Sequence, residues 1–147
     1  MSVLVDTNVL LRSAQPTHPL CSAATHSIST LLKQKETVFF CPQNIAEFWN
    51  VATRPADVNG LGFSHSEVLS EIQSIEDLLT LLPDSPSIYT EWKRLVNDQK
   101  VIGVKVFDAR LVAVANVYSV GSILTFNAAD FRRYGSITVL EPSSFMP

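Results

Sequence analysis

Read from its amino terminus, the chain alternates short apolar runs with longer stretches whose apolar residues recur at helical spacing. Val3, Leu4 and Val5 form the first run, which breaks at Asp6, Thr7 and Asn8 before a second, Val9-Leu10-Leu11. A short apolar run bounded by polar residues reads as a buried strand. From Leu20 to Lys35, the residues Leu20, Ala23, Ala24, Ile28, Leu31 and Leu32 make one helical stripe. Thr37 to Cys41, rich in β-branched and aromatic side chains, predicts a second strand. Pro42 suits the first turn of a helix reaching Thr53, and Pro55 stands just beyond its end. After a turn at Asn59-Gly60-Leu61-Gly62, Ser64 and Glu67 form a capping-box pattern that opens a helix to Leu78. Leu79 to Leu82 predicts a third strand, Ser85 to Gln99 an amphipathic helix and Val104 to Tyr118 a strongly apolar one. Ser122 to Thr125 and Ile137 to Leu140 complete the set as strands four and five.

Strands alternating with helices imply an α/β fold with helices on both faces of a parallel sheet. Right-handed crossovers then bring the carboxyl ends of all strands to one edge. At 147 residues the chain suits a single domain spanning residues 1–147, with no internal repeat or linker. With 46% hydrophobic and 17% charged residues, it has the composition of a globular protein with a full core. No apolar stretch approaches a membrane span, and the amino terminus lacks the basic and apolar regions of a signal peptide, so no membrane partner and a cytoplasmic location are expected. Cys21 and Cys41 have neither metal-type nor redox-type spacing and read as buried thiols. The net charge of −3 argues against a broad basic surface. It does not exclude a nuclease whose acids carry bound cations, since a cation inverts the local charge.

The candidate chemistry lies in four acids. Asp6 follows the first strand, where ligands of open α/β sheets bind; it can equally cap the next helix. Glu47 falls early in the second helix among apolar neighbours, with Asn44 three residues before it at capping-box spacing. Asp108 shares a helical face with Leu111, Val112 and Ala115, where a lone carboxylate needs a partner; a place in the first helical turn would also account for it. Asp130 follows the fourth strand, as does Asn127, which could cap a short helix. Acids crowded on one edge repel and shift toward protonation, which a hard divalent cation with oxygen ligands would relieve. Such ions serve phosphodiester cleavage by activating water and stabilising the leaving oxygen.

Four segments carry a resemblance: Val5-Asp6-Thr7-Asn8-Val9-Leu10; Glu47 with Asn50 and Arg54; Phe107-Asp108-Ala109-Arg110-Leu111-Val112-Ala113; and Thr125-Phe126-Asn127-Ala128-Ala129-Asp130-Phe131. Together they resemble the PIN-domain proteins, and most closely the VapC-like ribonuclease toxins. The resemblance implies a five-stranded parallel sheet flanked by helices, Mg²⁺ or Mn²⁺ at the acids, and cleavage of single-stranded RNA to a 5′-phosphate and a 3′-hydroxyl. It also implies a homodimer and a cognate antitoxin protein. Residue by residue, it makes Asp6, Glu47 and Asp108 the core metal ligands and catalytic acids. Many members carry an acid where this chain has Asn127, so Asp130 is taken as the fourth acid, acting directly or through water. Thr7, Asn8, Thr125 and Asn127 then support the acids, and Arg12, Arg54 and Arg110 are candidate RNA contacts, because the guanidinium fork matches phosphate. The histidines His18, His26 and His65 show no partner spacing. Two rival readings keep the fold, as an RNA-processing nuclease without antitoxin or as a silent binding module. A phosphatase-like use of Asp6 would want a second Asp two residues on, where Asn8 stands.

Overall fold

A computed structural model describes Met1–Pro147. Its central sheet has five strands: β1 (Ser2–Val5), β2 (Thr37–Phe40), β3 (Thr80–Leu81), β4 (Ser122–Leu124) and β5 (Thr138–Leu140). Six helices accompany them: α1 (Thr7–Ser13), α2 (Cys21–Lys33), α3 (Pro42–Thr53), α4 (His65–Leu78), α5 (Pro86–Asp98) and α6 (Lys105–Val117). All strands are parallel, in the order β3-β2-β1-β4-β5. The α/β class and the five-stranded sheet are therefore as the sequence predicts. The helices differ from expectation by a residue or two at their ends, and β3 is only two residues long. α1 is a separate short helix that the apolar run Val9-Leu10-Leu11 only hinted at.

Each strand of the centre is buried on both faces, so alternate side chains feed two cores. Val3 and Val5 point into one, with Val9, Leu10, Leu31, Phe48 and Val68. Leu4 points into the other, with Ile88, Leu95, Leu111 and Ile123. From Leu111 to Ala115 every residue of α6 is buried, which explains a continuous apolar run in a helix. Phe40 is buried, whereas Phe39, Trp49 and Trp92 pack only partly into the cores. Cys41 is buried as expected; Cys21 is half-exposed because it opens α2 instead of facing a core. No helix is long and apolar enough to cross a membrane.

The strand order places one feature of consequence. From β1 the chain builds outward through β2 and β3, then returns to the other side of β1 to lay down β4. The carboxyl ends of β1 and β4 flank this reversal, and open α/β sheets bind ligands in the crevice at such a point.

Candidate active site at the carboxyl ends of β1 and β4

Val5 and Leu124 are paired at the ends of β1 and β4, and the Asp6 amide donates to the Leu124 carbonyl at 2.8 Å. The next residues, Asp6 and Thr125, thus emerge side by side. Asp6 is the N-cap of α1: its Oδ1 accepts from the Thr7 amide at 2.8 Å. Its Oδ2 accepts from the Thr125 hydroxyl at 2.7 Å. One carboxylate therefore serves as helix cap and as the acid at the topological reversal. Asp6 is only 8% exposed. Burial raises its pKa to about 7 against the pull of the Thr125 and Thr7 hydrogen bonds, and the charges of Asp108 and Glu47 add to the rise.

Glu47 reaches the same corner from the second turn of α3. The Thr7 hydroxyl donates to its Oε1 at 2.8 Å, so Thr7 bonds one acid through its amide and the other through its side chain. The same hydroxyl accepts from Asn44 Nδ2 at 3.0 Å. Asn44 is fully buried; it also donates to the Val5 carbonyl (3.1 Å), while its Oδ1 accepts from the Cys41 amide (2.8 Å) and thiol (3.3 Å). The capping box of α3 is thus Cys41 with Asn44, not Asn44 with Glu47, and Glu47 is left free to face Asp6. Burial pushes the Cys41 thiol up to about 11, so it stays a neutral donor.

Asp108 lies in the first turn of α6, half-buried. The helix N-terminus should lower its pKa. It is instead raised to about 6, by burial first and then by the charge of Asp130, with Lys105 opposing and Glu47 adding. Asp130 ends the 3₁₀ turn Ala128–Asp130 and is paired with Lys105 Nζ at 2.7 Å.

The four acids therefore meet at one edge: Asp6 senses Glu47 and Asp108, and Asp108 senses Glu47 and Asp130. They do not form a ready-made cage, since no three acidic, histidine or cysteine side chains are gathered closely enough to hold a metal ion. The four principal cavities are lined by other residues, so the acids surround no large shared cavity. Asp6, Glu47 and Asp130 are each engaged by a donor of the chain itself. The donors are all oxygens and two of the carboxylates resist ionisation, a set that fits a hard divalent cation.

The supporting residues are arranged around Thr125. Its hydroxyl, besides donating to Asp6, accepts from the Asn127 amide at 2.9 Å and from Asn8 Nδ2 at 3.5 Å. The Asn127 side chain is exposed and caps nothing. Of the three arginines, only Arg110 is joined to the acids, through Gln43, which accepts from Arg110 at 3.2 Å and donates to Glu47 at 3.4 Å. Arg110 is also paired with Asp84. Arg12 bonds Gln15 in the last turn of α1, and Arg54 caps the far end of α3, about 10 Å along the helix from Glu47. His18, His26 and His65 contact none of the acids. Gln43 and Lys105 are members of the site that sequence reasoning did not single out, and Asn44 was read only as a capping partner of Glu47. For Lys105 the signal was a lone cation inside Val104-Lys105-Val106, three residues before Asp108.

The family model for the PIN domain matches residues 3–137. The chain belongs to the PIN domain family. Among solved structures, the PIN fold seen here is similar to a chain of VapBC2 from Rickettsia felis, solved bound to a DNA fragment from its promoter (TM-score 0.73, 14% identity, 96% of this chain and 98% of that one). It is similar also to VapBC-1 from nontypeable Haemophilus influenzae (TM-score 0.72, 15% identity, 97% and 99%). A third is VapC20 of Mycobacterium tuberculosis, a toxin that cleaves the sarcin-ricin loop (TM-score 0.60, 14% identity, 82% and 86%). At these identities the likeness is one of fold. No curated protein is a significant match to the chain.

Proposed function

We propose that this PIN-domain protein is a metal-dependent endoribonuclease, the toxin of a toxin–antitoxin pair. The observation that carries the reading is Asp6, a buried carboxylate at the topological reversal that shares Thr7 with Glu47 and senses Asp108. The likeness to VapBC assemblies and to a VapC toxin that cleaves the sarcin-ricin loop supports the choice of RNA as substrate and of an antitoxin as partner; a second copy of the chain belongs to the same reading.

Asp6, Glu47 and Asp108 would hold Mg²⁺ or Mn²⁺, with Asp130 completing the set directly or through water. Such an ion, when bound, supplies positive charge against the scissile phosphate and acidifies water at the site. The chain's own groups do the positioning. Thr125 and the Thr7 amide each fix one oxygen of Asp6, and the Thr7 hydroxyl spends its only proton on Glu47. Neighbours that orient metal-binding carboxylates in this way commonly matter 10- to 100-fold. Lys105 balances Asp130 and lies close enough to lower the pKa of Asp108. Arg110, anchored by Gln43 and Asp84, brings positive charge to the Glu47 side of the site, where RNA phosphate would approach.

The test is cleavage of single-stranded RNA by the purified protein with Mg²⁺, with Mn²⁺ and with chelator, beside Asp6→Asn. Cleavage that needs the ion and Asp6, leaving 5′-phosphates, is the expected result. Cleavage that persists in chelator, or in Asp6→Asn, would overturn the reading.

A further inference from the structure

The acids leave unexplained an open cleft on α5, the helix packed along α6. The cleft has a volume of about 850 Å³, and its lining includes Tyr89, Trp92, Lys93, Asn97 and Lys100. Tyr89 is 61% exposed, and its ring centre lies 6.4 Å from that of Trp92 at an inclination of 37°. The exposed Tyr89 ring thus stands beside the half-buried ring of Trp92 at the surface. Trp92 is locked in place: its indole N–H donates to the Val106 carbonyl at 2.8 Å. Val106 lies in the first turn of α6, two residues before Asp108, so one wall residue of the cleft is tied to the turn that carries the third acid.

The charge of the cleft runs against that of the chain. Lys93, Arg94 and Lys100 line it beside a single carboxylate, Asp98, although the whole protein carries −3. Arg94 is neutralised by Glu91 and Asp98. Lys93 and Lys100 are exposed and enter none of the chain's ion pairs. Exposed aromatic faces flanked by uncommitted cations are the equipment with which proteins hold single-stranded nucleic acid, the rings stacking on bases and the cations on phosphates. A duplex hides its base faces, and a simple anion has no use for the rings.

We infer that the cleft formed by Tyr89, Trp92, Lys93 and Lys100 is a docking groove for single-stranded RNA, holding a stretch of the strand whose neighbouring phosphate lies at Asp108. The inference rests on the ribonuclease reading and extends it: substrate is gripped beside the acids, so the first turn of α6 has reacting chain on one flank and anchored chain on the other.

Binding of a labelled oligouridine, followed by fluorescence anisotropy in chelator, tests this without any cleavage. Tyr89→Ala is expected to weaken binding about fivefold or more, and Tyr89→Phe to restore it, since stacking needs the ring and not the hydroxyl. The pair Lys93→Gln and Lys100→Gln should lower the slope of log affinity against log salt by about 1.4, roughly 0.7 for each phosphate released on a single strand. With ions present, the same variants should slow cleavage of the long oligouridine through KM and leave a dinucleotide substrate unaffected. Unchanged affinity and slope in all these variants would overturn the groove. So would variants that alter the mass of the protein in sedimentation and not its RNA affinity, which would make the cleft an interface between copies of the chain. A wild type that binds oligouridine through the cleft but never cleaves would sink the nuclease reading alone; one that cleaves while Tyr89→Ala binds normally would sink the groove alone.

Discussion

The two halves of the acidic edge are built differently. At the ends of β1 and β4, Asp6 is nearly buried and held by two short hydrogen bonds from neutral donors, Thr7 and Thr125. At the start of α6 and the end of the turn after β4, Asp108 and Asp130 are partly open, and a lysine stands beside them. The first half is fixed in position but uncompensated in charge; the second is compensated but less confined. Hydrogen bonds from neutral groups orient a carboxylate without cancelling its charge, whereas Lys105 cancels charge and competes with any cation for Asp130. On the metal-dependent reading this divides the labour: Asp6 and Glu47 would define where an ion sits, and the Asp108 side would adjust to it.

The largest effect should come from the fixed half. Asp6→Asn is expected to reduce ion-dependent RNA cleavage by more than about 100-fold, measured as initial rate on a single-stranded substrate. An equal loss from Asp130→Ala would erase the distinction between the halves. Next, Thr125→Val should weaken Mn²⁺ binding by about 10- to 100-fold in calorimetry, because it removes one of the two bonds that aim Asp6. Asn127→Ala, whose exposed side chain touches nothing in the site, should have a smaller effect than either.

The uncompensated charge of Asp6 also has a pH signature in metal-free protein. Its folded-state pKa of about 7 lies above the unfolded value near 3.8. The unfolded chain therefore ionises first, and the stability associated with neutral Asp6 is fully present below about pH 4 and lost as pH rises through 7. The decline should amount to on the order of a few kcal/mol, read as a falling Tm between those limits. Asp6→Asn should flatten that decline, and Mn²⁺ added above pH 7 should raise the Tm of the wild type and not of the variant. A decline of equal size in Asp6→Asn would locate the pH dependence elsewhere. The smallest effect belongs to the compensated half. Lys105→Gln removes a half-exposed ion pair and should tighten Mn²⁺ binding by no more than about fivefold; weaker binding would mean that Lys105 orders Asp130 instead of competing for it.

Much of this was legible in the sequence, for reasons that can be located. The strands showed as short β-branched runs, and the Ser64–Glu67 capping box marked the start of α4 correctly because its two hydrogen bonds are local. The acids drew attention because Asp6 and Asp130 follow strands, Asp108 opens a helix and Glu47 lies early in the helix after β2. What the sequence did not disclose is how they are wired. Thr7 and Glu47 are 40 residues apart, Lys105 and Asp130 are 25 apart, and no local spacing encodes either bond. Asn44 was noticed only as a capping residue for the wrong partner. Its real work, tying β1, α1 and α3 together, depends on the β1–β2 pairing that brings Val5 near Cys41. The arginines show the same limit, since proximity in a motif is not proximity in space: Arg54 sits at the opposite end of its helix from the acids, whereas Arg110 reaches Glu47 through Gln43.

The bond between Thr125 and Asp6 spans 119 residues, and it has a meaning for the protein as it is made. Asp6 leaves the ribosome 119 residues ahead of the hydroxyl that aims it. Until β4 has been synthesised and has docked beside β1, the leading carboxylate has no second anchor and the corner that would grip RNA does not exist. On the ribonuclease reading, the nascent protein would stay inert until that docking, and a chain that stops before β4 would lack the anchored acid.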